Sequence, residues 1–72
     1  MDPRKLLLEV AAKSLCHNRK VGAVIISKDN HVLGTGYNHN KNGGPCEDVA
    51  GATEADVVHA EIAAINDWLK QP

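Results

Sequence analysis

The sequence predicts one α/β unit in the order helix, β-hairpin, long loop, helix. A continuous β-branched run, Val21–Ile26, is typical of a buried strand. Apolar residues recur at helical spacing near both ends of the chain. Between them, residues 38–56 are rich in Asn, Gly and acidic residues, which indicates a long surface loop. With 72 residues, the chain forms one domain at most.

The first helix is expected from about Pro3 to about Leu15. Asp2 is suited to cap this helix, and Pro3 is suited to its first turn. The apolar residues at helical spacing are Leu7, Leu8, Val10, Ala11 and Leu15.

A β-hairpin is expected next. Its first strand, Val21–Ile26, should be buried on both faces, and residues 28–30 (Lys-Asp-Asn) provide the turn. The return strand, residues 31–37, contains Gly34 and Gly36. Two glycines weaken a strand and leave room for the close approach of a backbone or a ligand.

The last helix is expected to begin at about Asp56 or Val57 and to end at about Leu69. Its apolar stripe should form part of the core. The stripe consists of Val58, Ile62, Ile65 and Leu69, with Trp68 beside it.

Composition excludes several classes of function. The formal net charge is -1 and the eight Lys and Arg residues are scattered, which argues against binding to long nucleic acid. The run Leu6–Leu8 is too short for a signal-peptide core or a membrane span. We therefore expect a cytoplasmic protein without membrane contact. Two cysteines, Cys16 and Cys46, are too few for the disulfide framework of a small secreted protein and are expected to be reduced thiols or metal ligands.

The candidate chemistry lies in His59-Ala60-Glu61. On a regular helix, two residues at this spacing lie about 200° apart, so they share a site only at a helix N-terminus, where first-turn groups converge. Zinc bound by the His59 imidazole would lower the pKa of a water molecule, and Glu61 would move protons between that water and a substrate nitrogen. His-x-Glu is the first half of the zinc deaminase signature, which continues with Pro-Cys-x-x-Cys. That second half is absent from the sequence.

Three segments occur in the order and spacing of one family. They are residues 59–66 (HAEIAAIN), residues 19–26 (RKVGAVII) and residues 35–38 (TGYN). The chain resembles the deoxycytidylate (dCMP) deaminases of phage and bacterial type, within the cytidine deaminase superfamily. The resemblance covers nearly all of the chain but only about the first half of a family domain. It implies that residues 1–72 form the N-terminal portion of a cytidine-deaminase-like three-layer α/β/α fold, without the Pro-Cys-x-x-Cys half.

The resemblance also implies roles for individual residues. His59 would be a ligand of the catalytic zinc and Glu61 the proton shuttle. Ala60 would offer its backbone amide to the pyrimidine carbonyl. Asn38 would contact the sugar, and Arg19 would lie in a nucleotide-binding loop.

Cys16 and Cys46 have two interpretations. Phage-type members hold a second, structural zinc with cysteines from these regions, so the resemblance implies that both are ligands. The segment between Cys46 and His59 adds only carboxylates, whereas structural zinc prefers sulfur and nitrogen. We therefore expect two unpaired thiols, with the second zinc as the alternative.

Two functions follow as expectations. In the first, the chain is the incomplete, inactive part of a zinc-dependent enzyme that deaminates a cytosine nucleotide (dCMP to dUMP), and it needs a complementing chain. In the second, it is a non-catalytic module for self-association or for binding an intact deaminase. Both predict a homo-oligomer or a complementing chain, because the strand at residues 21–26 would otherwise leave an open sheet edge.

Overall fold

The computed structural model describes residues 2–71. These residues form two helices and two small antiparallel sheets. The elements are α1 (Pro3–Ala11), β1 (Gly22–Ile26), β2 (Val32–Tyr37), β3 (His39–Asn40), β4 (Val57–Val58) and α2 (Ala60–Leu69). The predicted order of helix, hairpin, loop and helix is confirmed. The short strands β3 and β4 were not predicted.

Helix α1 begins as predicted but ends early. The Asp2 side chain accepts a hydrogen bond from the Arg4 amide, and Pro3 occupies the first turn. The predicted end at Leu15 is wrong, because the helix stops at Ala11. The Ser14 hydroxyl bonds to Asn38, beyond the hairpin, and this contact directs the chain away from the helix axis.

The hairpin of β1 and β2 is confirmed. Gly22 lies opposite Tyr37 and Ile25 opposite Gly34, with an irregularity between Ile25 and Ile26. Asn30 takes a positive φ of 65° in the turn. The expectation that β1 is buried on both faces is wrong, since all five of its residues are half-buried. Among the described residues β1 pairs only with β2, so one of its edges is open.

The two helices cover opposite faces of this hairpin. A Cβ atom added to Gly22 would lie 2.8 Å from the Leu7 carbonyl oxygen in α1, and one added to Gly34 would lie 2.6 Å from the Ala64 carbonyl oxygen in α2. Gly34 pairs with Ile25, three residues after Gly22, and successive strand residues alternate between faces. The described residues therefore form the three layers of an α/β/α arrangement.

The face of α2 that packs on the sheet is made of alanines. Ala60 and Ala64 are buried, directly over Gly34 and Gly36 of β2. The predicted core stripe is wrong: Val58 is half-buried, and the other four side chains are exposed. These four are Ile62, Ile65, Trp68 and Leu69. Glycine facing alanine lets the two backbones approach so closely that larger side chains are directed to the opposite face of the helix.

The long loop is more ordered than its composition suggests. His39 and Asn40 pair with Val58 and Val57, which joins the two ends of the loop. This pairing explains why α2 begins at Ala60 and not at Asp56 or Val57, as predicted. Neither described helix has the length and hydropathy that a bilayer crossing requires.

Candidate active site

A cleft of about 330 Å³ opens in front of the N-terminus of α2. The structure brings all the sequence-predicted site residues to its walls, although they come from four segments of the chain. They are Cys16, Arg19, Asn38, Cys46, His59, Ala60 and Glu61.

His59 and Glu61 lie at the start of α2. His59 is the N-cap residue, with extended backbone angles (φ -71°, ψ 151°), and its imidazole makes no capping hydrogen bond. Glu61 stands in the first turn, and both side chains are exposed. The positive end of the helix dipole favours negative charge at this position. The predicted position of the pair at a helix N-terminus, and not within a continuous helix, is therefore confirmed.

Ala60 lies between them as the first residue of the helix. Its side chain is buried against the sheet. The backbone amide of a first helical residue has no intrahelical acceptor, so it is available to a ligand in front of the helix. The pairing of β4 with β3 fixes the position of this amide, because β4 ends at Val58, directly before the N-cap residue His59.

The Asn38 side chain organises the cleft wall. Its Oδ1 accepts hydrogen bonds from the Ser14 hydroxyl (2.7 Å) and the Val21 amide (3.0 Å), and its Nδ2 donates to the Arg19 carbonyl oxygen (2.7 Å). These bonds use both lone pairs of Oδ1 and one of the two protons of Nδ2. One amide proton remains for a ligand, which is compatible with a sugar contact.

Arg19 lies in the segment between α1 and β1. Its backbone carbonyl is fixed by Asn38, and its exposed side chain lines the cleft. A guanidinium in this position is suited to bind an anionic group of a ligand.

Cys16 and Cys46 are bonded to each other as a disulfide, and both are buried. The expectation of unpaired thiols is therefore wrong. The prediction failed because the fold brings together two residues that are thirty positions apart. Their role as ligands of a second zinc stays a prediction, and it would require reduction of the disulfide, because the thiolate is the form that binds metal.

The described residues do not complete a metal site. Within residues 2–71 no three His, Cys, Asp or Glu side chains come together as a metal site, and His59 is the one predicted ligand at the helix start. A catalytic zinc usually takes three protein ligands. Such an ion would need ligands from outside residues 2–71.

Sequence reasoning missed Glu47 as a residue of the cleft. Its carboxylate accepts hydrogen bonds from the backbone amides of His17 (2.9 Å) and Asn18 (3.1 Å). The His17 amide, together with that of Asn18, holds the pKa of Glu47 below its ordinary value. The sequence signal for Glu47 is its position next to Cys46. This signal becomes informative only when the pairing of Cys46 with Cys16 is known.

The fold of this chain is similar to that of a known protein. The crystal structure of the dCMP deaminase from the cyanophage S-TIM5, in complex with dCMP and dUMP, matches 99% of this chain with a TM-score of 0.83 and 29% sequence identity. This chain spans 58% of the length of that one. A search of curated proteins found no match. Residues 4–72 match the model of the cytidine and deoxycytidylate deaminase zinc-binding region. The chain therefore belongs to the cytidine and deoxycytidylate deaminase family.

Proposed function

We infer that this chain carries the His-x-Glu part of the active site of a zinc-dependent deaminase that converts dCMP to dUMP. The observation that carries this proposal is the convergence of His59, Glu61 and Asn38, with Arg19, on one cleft at the start of α2. The match to a dCMP deaminase structure supports the choice of a cytosine nucleotide as substrate.

Each residue has a distinct task in this proposal. The Ala60 amide donates a hydrogen bond to the pyrimidine carbonyl, and Asn38 holds the sugar with its remaining amide proton. The Glu61 carboxylate takes a proton from the attacking water and transfers it to the pyrimidine. The water oxygen bonds to the ring carbon that carries the exocyclic amine. The second proton of the water then passes through the same carboxylate to this amine, the carbon–nitrogen bond breaks, ammonia leaves and a carbonyl remains.

Zinc is part of the proposal through family membership. When bound, the ion would activate the attacking water, with His59 as one ligand. The remaining ligands come from outside residues 2–71 in this proposal, supplied by a Pro-Cys-x-x-Cys segment. The 72 residues alone are therefore expected to hold zinc weakly and to have no deaminase activity.

Complementation tests this function. The 72-residue chain is mixed with a chain that carries the family's Pro-Cys-x-x-Cys segment, such as the part of the S-TIM5 enzyme that the match leaves uncovered. We expect zinc-dependent formation of dUMP from dCMP. Glu61→Gln should abolish turnover, because the amide cannot relay a proton. The control is Glu54→Gln, which makes the same charge change in a residue that does not line the cleft.

Two results would contradict this function. One is tight stoichiometric zinc together with deaminase activity in the 72 residues alone, which would disprove the incomplete site. The other is full activity of the complemented Glu61→Gln variant, which would remove Glu61 from the chemistry.

A second candidate function is a non-catalytic association module. It is favoured by the exposed apolar face of α2, which carries Ile62, Ile65 and Leu69. In this case Glu61→Ala would leave association unchanged, and no complementing chain would produce turnover. Sedimentation and the dCMP assay, applied to the same variant, separate the two candidates.

A further inference from the structure

Glu47 joins the long loop to the segment that precedes β1. Its two carboxylate oxygens each accept one hydrogen bond, Oε1 from the His17 amide and Oε2 from the Asn18 amide. We call this arrangement the Glu47 clamp. The Asn18 side chain donates a hydrogen bond to the Gly51 carbonyl oxygen (3.0 Å). These bonds add to the Cys16–Cys46 disulfide, which joins the same two segments.

The clamp acts on the residues directly before Arg19. The Arg19 carbonyl is held from the other side by Asn38, at 2.7 Å. The backbone around Arg19 is therefore fixed on both flanks, while its side chain remains exposed at the cleft. A backbone held in this way limits the positions that the guanidinium can reach, which is how a binding group is preorganised.

We propose that Glu47 is a positioning residue that directs Arg19 toward the phosphate of the nucleotide. This inference rests on the proposed function, because it assumes a nucleotide in the cleft. Glu47 does not touch the ligand in this proposal. Its effect should therefore be confined to substrates that carry a phosphate.

Glutamine at position 47 breaks the clamp with little change in size. A carboxylate accepts a hydrogen bond at each oxygen. A carboxamide has one oxygen and one NH2 group, so it can accept from only one of the His17 and Asn18 amides, and its NH2 group faces the other. Glu54→Gln is the matched control, because the carboxamide oxygen can still accept the bond that Glu54 receives from Asn40.

The experiment has two parts. Amide hydrogen exchange in the 72-residue chain measures the clamp, and exchange at His17 and Asn18 should be faster in Glu47→Gln than in wild type or Glu54→Gln. Steady-state kinetics of the complemented enzyme then compare dCMP with deoxycytidine. Glu47→Gln should raise the KM for dCMP about tenfold, the effect of one charge-assisted hydrogen bond, with little change in kcat or in the KM for deoxycytidine.

Arg19→Gln provides a second variant. It should raise the KM for dCMP and leave the KM for deoxycytidine unchanged. In the double variant the KM for dCMP should rise by less than the product of the two single increases, since both substitutions act on one contact.

Each other outcome overturns the inference. Unchanged exchange at His17 and Asn18 shows that the clamp does not hold this segment. An equal rise in the KM for dCMP and for deoxycytidine shows that Glu47 supports the fold and not the phosphate contact. A wild-type complemented enzyme without deaminase activity overturns the proposed function, and this inference with it.

Discussion

Single side chains in this cleft hold the backbone through hydrogen bonds, as Glu47 and Asn38 do. The lowered pKa of Glu47 allows a test of its hydrogen bonds to the backbone. The largest cause of the lowered pKa is the bond from the His17 amide, and the second is the bond from the Asn18 amide. A carboxyl whose pKa falls on folding stabilises the fold at pH values above its unfolded pKa. That contribution is lost as the pH falls through the lower, folded pKa.

We therefore expect the amide proton shifts of His17 and Asn18 to titrate together, with a midpoint below the ordinary pKa of a glutamate side chain. NMR spectra across the acid range measure this midpoint. The Glu47→Gln variant is the control and should show no such titration. A shared midpoint at or above the ordinary pKa of glutamate would contradict the contact.

The predictability of the site residues depends on what each one bonds to. The position of His59 and Glu61 at the start of a helix could be predicted, because a short sequence pattern specifies it. Glu47 could not, because its partners are backbone amides about thirty residues away. A backbone amide is present at every position except proline, so the sequence does not mark it.

At the scale of elements, the close packing of α2 on β2 depends on glycine. A Cβ at Gly36 would overlap the Ala64 backbone nitrogen and lie 2.5 Å from the Ala60 carbonyl oxygen. Backbone atoms cannot rotate away as a side chain can, so α2 would have to shift.

Gly36→Ala should therefore lower the free energy of unfolding by about 1–3 kcal/mol, as overpacking does in other cores. Urea unfolding followed by circular dichroism measures the loss. Gly44→Ala is the control, since the nearest atom there is the flexible end of the Asn42 side chain, at 3.2 Å. Equal stability of the two variants would contradict the close packing.

The Cys16–Cys46 bond joins the long loop to the segment after α1. A disulfide that closes a loop of this length stabilises a protein by about 3–4 kcal/mol in the chain-entropy model. We expect dithiothreitol to lower the Tm of the chain, while a zinc chelator leaves it unchanged. A chelator that lowers the Tm, with no effect of the reductant, would instead assign both sulfurs to a metal.

The boundaries of the elements were harder to predict than their order. The hairpin followed from a β-branched run and a turn, which are local signals. The late start of α2 depends on the pairing of Val57 and Val58 with residues of β3, and no local signal shows this pairing. The early end of α1 depends in the same way on Ser14 and Asn38, which are 24 residues apart.

At the scale of the whole molecule, the surface is large for the mass. The accessible area is 5196 Å², whereas folded monomeric proteins of 7.7 kDa average about 4,300 Å². The buried apolar side chains are small, and the large ones are exposed, among them Leu8 at 72% and Leu69 at 72%. Such a surface favours association with another chain.

We therefore expect the chain to self-associate through the outer face of α2. Ile65→Lys should weaken the association at least about tenfold, because burial of one large aliphatic side chain contributes about 1.5–3 kcal/mol. Sedimentation velocity over a range of concentrations measures it. Asn66→Lys adds the same charge at the next, exposed position and should have a smaller effect. A wild-type monomer at all concentrations would disprove the association.

The outer tip of the long loop, residues 48–52, lies between two residues that line the same cleft as His59 and Glu61. Glu47 pairs with Thr53 across that tip, and Val49 points fully into solvent there. A peptide inserted after Val49 would therefore be carried on a closed stem and would leave His59 and Glu61 in place. An affinity tag could be grafted after Val49 if the hydrogen bond from Asn18 to Gly51, which ties the tip to the segment before Arg19, is kept.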